Sequence, residues 1–210
     1  MAAKPSSSRR AEITVLAGVN GAGKSSIGGA HLRASGGEYY NPDEAARLAR
    51  EASPGLTQAE ANAFAWRQGK RRLEAAIADG TAFTFESTLG GDSITRLLIE
   101  AVRHGATLRV WFAGLASVDL HLRRVAARVR KGGHDIPEAD IRRRWVGSHQ
   151  NLVRLIPHVT DLRIYDNSAE ADPSAGRAPE PVLVLAITDG RLAFPASPEE
   201  VTVTPAWAKP

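Results

Sequence analysis

Residues 18 to 25 read Gly18-Val19-Asn20-Gly21-Ala22-Gly23-Lys24-Ser25, the pattern G-x-x-x-x-G-K-[ST]. A short apolar run, Ile13-Thr14-Val15-Leu16-Ala17, precedes it, and Ser26 to Ala34 follows with a composition that a helix accepts. A buried strand, a glycine-rich turn and a helix in that order commit the chain to an α/β architecture with a mostly parallel sheet. The glycines let the backbone wrap an anion, and the helix N-terminus adds positive potential. In such a loop Gly18, Asn20, Gly21, Ala22, Gly23 and Ser26 cradle phosphates. Lys24 reaches the outer phosphates and the Ser25 hydroxyl binds Mg²⁺. The alternative is a glycine-rich turn with a chance lysine. The full pattern arises by chance in well under about one in a hundred such chains. Only 5 of the 27 basic residues are lysines, so a lysine placed here is poor filler.

The rest of the composition sets outer limits. With 210 residues, 43% apolar and 24% charged, one substantial core is the default. A net charge of +4 suits a polyanionic ligand. An arginine-rich composition reaches that value without nucleic acid, so nucleic-acid binding is not expected. No cysteine is present, which excludes disulfides and thiolate metal sites. No apolar stretch approaches membrane-spanning length. Arg9-Arg10 resembles a twin-arginine export signal, but the apolar run after it is short and ends in the glycine loop. The expectation is a cytoplasmic protein, where nucleoside triphosphates are found.

Along the chain, strands are predicted at 13–17, 38–40, 82–85, 107–115 and 162–165. Helices are predicted at 26–34, from Pro42, over 57–79, 93–103 and 119–130, and from Pro137 to about Gln150. Asn41 caps the second helix, with Glu44 closing a capping box. Gly80, His104-Gly105 and Gly132-Gly133 stop the helices before them. Val182 to Ile187, the turn pair Asp189-Gly190 and Leu192 to Phe194 form a hairpin. The whole reads as a five-stranded parallel sheet flanked by helices, with a C-terminal β-hairpin. Residues 1–11 are expected as a disordered basic tail and 12–194 as a single domain. The proline-rich tail 195–210 has no clear core role.

Ligands of open α/β sheets sit at the carboxyl ends of strands, and three polar clusters fall there besides the loop. Asp43 follows the second strand; it either complements a helix dipole or accepts the proton of a substrate hydroxyl. Glu86-Ser87-Thr88 ends the third strand, where Glu86 is either solvated or borders the phosphate site. The third cluster runs from Arg123 to Arg144 across Gly132-Gly133. For several of its arginines a solvated basic face is the correct reading, because three consecutive arginines point about 100° apart on a helix. The functional reading is a glycine-hinged lid, about 129–144, whose arginines close on the transferred phosphoryl group.

With those residues in view, the chain resembles the zeta toxin family of P-loop kinases. The resemblance is carried by the stretches Leu16–Ser25, Asn41-Pro42-Asp43-Glu44, Phe85-Glu86-Ser87-Thr88, Arg124 through Gly132-Gly133-His134-Asp135-Ile136-Pro137 to Arg144, and Tyr165-Asp166-Asn167-Ser168. It covers roughly residues 12 to 190 and implies a P-loop NTPase of the nucleoside-kinase-like type. Such a protein uses ATP or GTP with Mg²⁺ to phosphorylate a hydroxyl of a small molecule. In the family's toxins the acceptor is UDP-N-acetylglucosamine, and an antitoxin protein is a partner. By position the resemblance implies Asp43 as catalytic base and Glu86 and Thr88 as substrate contacts. It implies Arg124 and Arg128, with His134 and Arg144 as further lid candidates, on the phosphoryl group, and Asn167 near the base of the nucleotide. Where the toxins carry a basic substrate motif after the third strand, this chain has Leu89-Gly90-Gly91-Asp92. Two alternatives remain: a kinase of another acceptor, such as a nucleic-acid 5′-hydroxyl, and a nucleotide-dependent switch. Asp43 with several arginines favours transfer over switching.

Overall fold

In the apolar run before the glycine loop, Ile13, Val15, Leu16 and Ala17 are all buried, as a central strand covered on both faces requires. This strand is β1, Glu12–Ala17. A computed structural model of the chain describes residues 10–28, 39–170, 180–202 and 204–209. The elements after β1 are β2 (Tyr39–Tyr40), α1 (Pro42–Ala52), α2 (Gln58–Asp79), β3 (Ala82–Ser87), α3 (Asp92–Arg103), β4 (Thr107–Gly114), α4 (Val118–Arg130), α5 (Glu138–Leu155), β5 (Asp161–Asp166), β6 (Val182–Thr188), β7 (Arg191–Phe194) and the short α6 (Pro198–Thr202). The strand order is β2-β3-β1-β4-β5-β6-β7. The first five strands in that order are parallel, and β6 and β7 add antiparallel. The expected α/β sheet and hairpin are both present. The hairpin continues the sheet, so its count rises from five strands to seven.

Register decides what the sheet brings together. Leu16 pairs with Glu86 and Ala17 with Ser87, so β1 and β3 end level with each other. The glycine loop therefore leaves β1 beside Glu86. Phe83, Phe85, Leu108, Val110, Phe112, Leu162 and Ile164 fill the core around β1. Each such side chain contributes about 1.5–3 kcal/mol when fully buried. Helix α2 packs through small residues, Ala61, Ala65 and Gly69, followed by Leu73 and Ala76. A Cβ at Gly69 would stand 2.6 Å from the Tyr40 ring, so only glycine lets α2 lie this close to β2.

Local stops follow the chemistry read from the sequence. Gly80 closes α2 in the left-handed region, at φ 64°. Asp189 and Gly190 take φ values of 50° and 72°, the primed turn that matches strand twist. Asn41 caps α1 by accepting from the backbone N–H groups of Asp43 and Glu44. The Glu44 carboxylate does not close a box; it lies 3.6 Å from Arg47. The capping box forms instead on α2, between Thr57 and Glu60.

Further differences concern the first helix, α5 and the tail. The expected helix over 26–34 lies mostly outside the described residues; its described beginning is a 3-10 turn, Lys24–Ile27. Helix α5 runs on to Leu155, five residues past the expected end. The tail is not idle. Trp207 and Ala208 pack against the core, and a Cβ on Gly114 would stand 2.0 Å from the Trp207 ring. Among the described residues, no helix is long and apolar enough to cross a membrane.

Candidate active site

Three carbonyls of the glycine loop are taken up by side chains. His121 Nδ1 donates to the Asn20 carbonyl at 2.9 Å, Asn167 Nδ2 to the Ala22 carbonyl at 2.8 Å, and Lys24 Nζ to the Gly18 carbonyl at 3.2 Å. A trans peptide points its N–H opposite to its C=O. With the Asn20 and Ala22 carbonyls tied outward, the N–H groups of Gly21 and Gly23 face the hollow of the loop. Gly23 adopts φ 76°, which a side chain would resist. A Cβ on Gly18 would sit 2.6 Å from the Ala113 carbonyl, so that position too is closed to anything larger.

His121 is a residue that sequence reasoning missed. It sits on α4, three residues before Arg124, and is buried. Burial pushes its pKa down to about 4; neighbouring His149, Arg124 and Lys24 add to the effect, while the Asn20 carbonyl opposes it. The ring is thus neutral near pH 7 and carries its proton on Nδ1, toward that carbonyl. Nothing in the local sequence marks a single histidine for this task.

On the β3 side, Lys24 and Glu86 form an ion pair at 3.7 Å, with both side chains mostly buried. Glu86 Oε1 also accepts from the Tyr39 hydroxyl and from Asn41 Nδ2. Glu86, expected as a substrate contact, is therefore first a counter-ion to the loop lysine. Arg144 on α5 donates to Asn20 Oδ1 at 2.8 Å. Asp43, at the start of α1, is half-exposed and lies 4.0 Å from His134 Nε2. Thr88 Oγ1 accepts from Gly90 N–H, which shapes the turn after β3.

A cavity of about 410 Å³ opens beside the loop. Lys24, Asp43, Glu86, Thr88, His134 and Arg144 all line it. Arg143 lines it as well, a residue not singled out from its run of three. Arg124 and Arg128 are not brought there. They border a separate depression with Lys131 and Gly133. Arg124 Nη2 donates to the Ala169 carbonyl and Arg128 Nη2 to the His134 carbonyl. Asn167, expected near a nucleotide base, uses its amide to brace the loop.

The expected lid is less free than its glycines implied. Arg144 belongs to α5, and α5 is fixed to the turn after β3: Asn151 donates to the Leu89 carbonyl and Arg154 pairs with Asp92. Ile136 is buried with Val19, Val125 and Ile141. Within the expected lid, the stretch 131–135 is irregular in structure and free of buried residues.

Among the described residues, no cluster of three or more acidic or histidine side chains could hold a metal by itself. The exposed residue Ser25, at the end of the loop, and Glu86, paired with the adjacent Lys24, carry two hard oxygen donors. Magnesium takes one or two such ligands and fills the rest with phosphate oxygens and water, so this donor set fits it. The Ser26 side chain lies outside the described residues.

An anion cradle at the end of β1, a carboxylate knot beside it and a cavity at the strand ends together define a P-loop kinase-like domain. Residues 13–144 match the AAA domain family, and the chain belongs to it. Among solved structures it is similar to AvrRxo1-ORF1:AvrRxo1-ORF2 with sulphate ions, with TM-score 0.66, 14% identity, and coverage of 96% of this chain and 65% of that one. The same complex with ATP aligns with TM-score 0.63 at 14% identity, over 89% of this chain and 61% of that one. The PezAT chromosomal toxin–antitoxin system of Streptococcus pneumoniae aligns at TM-score 0.52 and 18% identity, over 78% of this chain and 70% of that one. A 70-residue stretch, 33% of this chain, is 36% identical to an uncharacterized protein of Haemophilus influenzae. The chain thus spans about half the length of the curated relative it matches.

Proposed function

We propose that the protein is an ATP- or GTP-dependent kinase that transfers the γ-phosphoryl group to a hydroxyl of a small molecule. The observation that carries this is the shared cavity: Lys24 of the loop, the Asp43 carboxylate and Arg144 face one space at the strand ends. In this reading the loop N–H groups hold the triphosphate, and the Ser25 hydroxyl would hold a Mg²⁺ ion, which would supply charge neutralisation. Lys24 leaves Glu86 for the β- and γ-phosphates. The Asp43 carboxylate takes the proton of the acceptor hydroxyl. That oxygen bonds to the γ-phosphorus while the bond to the β-phosphate oxygen breaks, and its electron pair leaves with the nucleoside diphosphate. Arg144 and His134 stabilise charge on the moving group from the acceptor side. Arg124 and Arg128 act from the nucleotide side, held on α4, and residues 131–135 close as a lid. His121 and Asn167 keep the loop in shape.

The similar AvrRxo1-ORF1:-ORF2 complex was solved with ATP, which supports a nucleotide as ligand of this fold. The zeta toxin motifs support the zeta toxin type, and the likeness to the PezAT toxin–antitoxin system supports an antitoxin partner; the cytoplasmic setting is proposed because nucleoside triphosphates are found there. Those motifs put UDP-N-acetylglucosamine first among acceptors to be tried. The catalytic unit is taken as 12–194.

The test is incubation with γ-labelled ATP or GTP and a panel of UDP-sugars, nucleosides and oligonucleotides, for the wild type and Asp43→Asn. Label is expected on one acceptor class. Asp43→Asn is expected to lower transfer roughly 10²-fold or more with nucleotide affinity within a few-fold, as for loss of a positioned base. Unchanged transfer in Asp43→Asn would assign Asp43 to the helix terminus alone.

A further inference from the structure

The end of the cavity away from the loop contains a side chain that the fold does not require. Helix α2 buries Ala61 and Ala65 against Ala46 of α1, Gly69 against Tyr40, and Leu73 and Ala76 in the core around the sheet. Asn62, Trp66 and Lys70 form the neighbouring stripe, four residues apart, and all three line the cavity. Trp66 is 47% exposed, on a stripe otherwise polar. A tryptophan left half in water within a concave site is a platform for a flat ligand ring.

Charge narrows the ligand further. Four cationic side chains line the cavity, Lys24, Lys70, Arg143 and Arg144, and four carboxylates line it too, Asp43, Glu86, Asp135 and Asp140. Every one of those cations already has a carboxylate within salt-bridge distance. Lys24 has Glu86 at 3.7 Å; Arg143 and Arg144 share Asp140 at 2.8 and 3.8 Å; Lys70 pairs with Glu74. A cavity balanced in this way holds no surplus cation for a diphosphate.

We propose that the acceptor is an uncharged alcohol of nucleoside type, a hydroxyl-bearing saturated ring joined to a planar ring that stacks on Trp66. This rests on the kinase reading and deepens it. The reacting hydroxyl lies toward Asp43 and Lys24, and the planar ring lies toward α2. Asn62, whose Oδ1 is engaged by Gln58 at 2.9 Å, keeps its amide N–H groups for the edge of that ring.

The experiment measures γ-phosphoryl transfer by the full chain to the four ribonucleosides, to UDP-N-acetylglucosamine and to free N-acetylglucosamine. It is run with wild type, Trp66→Ala and Trp66→Phe, alongside nucleotide binding by each. The expected result is that a nucleoside is the preferred acceptor. Trp66→Ala should raise its KM roughly five- to a hundredfold, the range for losing one stacked ring, with KM for ATP unchanged. Trp66→Phe should recover most of the loss. Preference for UDP-N-acetylglucosamine, or an acceptor KM indifferent to Trp66→Ala, overturns this proposal and leaves the kinase reading intact. Nucleotide binding without label on any acceptor overturns both.

Discussion

Replacing Gly147 with alanine pits two effects of opposite sign against each other. Gly147 lies inside α5, where alanine is favoured over glycine by about 1 kcal/mol. Yet a Cβ there would stand 2.4 Å from the Gly90 carbonyl oxygen. Ordinary contact begins at 3.4 Å, so one backbone must give by about 1 Å. Both sides of the contact are backbone, and α5 is pinned to the same turn by Asn151 and Arg154. Overpacking of this kind costs about 1–3 kcal/mol. The contact wins, and a net loss of about 1 kcal/mol should lower Tm by roughly 2–4 °C in a chain of this size. Arg144 lies one turn earlier on the same face and already touches Gly90, where a Cβ would stand 2.7 Å from Arg144 Cγ. A shift of about 1 Å would carry its guanidinium out of hydrogen-bond range of Asn20, and misplacement of that size can cost about 10²-fold in rate. Differential scanning calorimetry and γ-phosphoryl transfer on one preparation measure both effects. A Tm that rises by a few degrees with full turnover would show that α5 does not sit this close to the turn, and the placement of Arg144 would fall with it.

Lys24→Ala should abolish transfer while the melting curve stays close to that of the wild type, because the partner it leaves, Glu86, is also held by Tyr39 and Asn41; near-normal turnover in the folded variant would remove Lys24 from the reaction. His121 has a folded pKa of about 4 against an ordinary 6.5, so the native state resists a proton that the unfolded chain accepts. Its contribution is complete above about pH 7 and is lost as pH falls toward 4, by roughly 3 kcal/mol at most; urea melts at pH 7.5 and 5 should show a loss that is smaller in His121→Asn, and parallel losses would exclude His121 as the cause. Trp207→Ala should destabilise the protein by roughly 2 kcal/mol, about half the cost for a fully buried tryptophan, as its ring is only partly covered; an unchanged Tm would mean that the tail does not clasp β4. Hydrogen exchange should find residues 131–135 fast without nucleotide and protected with a non-hydrolysable one, and equal protection in both states would deny a lid.

The loop, the strand–helix alternation and the stops were legible because each is a local matter. A glycine at φ 64° after Asp79, a cap at Asn41, and the Asp189-Gly190 turn depend on residues within a few positions. Asp43 and Glu86 were nameable for the same reason, since each follows or ends a strand and the parallel sheet order carries those ends to one edge; His134 and Arg144 were named by the family resemblance of the stretch around Gly132-Gly133. Only the tertiary structure decided which of them share a space. Asn20 meets His121 across 101 residues and Arg144 across 124, and no periodicity encodes such pairs. Arg124 and Arg144 look alike in sequence, but the packing of α4 and α5 sends them to two different hollows. Trp66 reads as one more residue of a long helix until α2, drawn in by Gly69, presents it to the cavity. Trp207 reads as part of a loose tail until Gly114 offers it a gap. Local conformation follows from the residues at hand, whereas contacts between distant segments follow from strand register and helix packing, which the whole core settles at once.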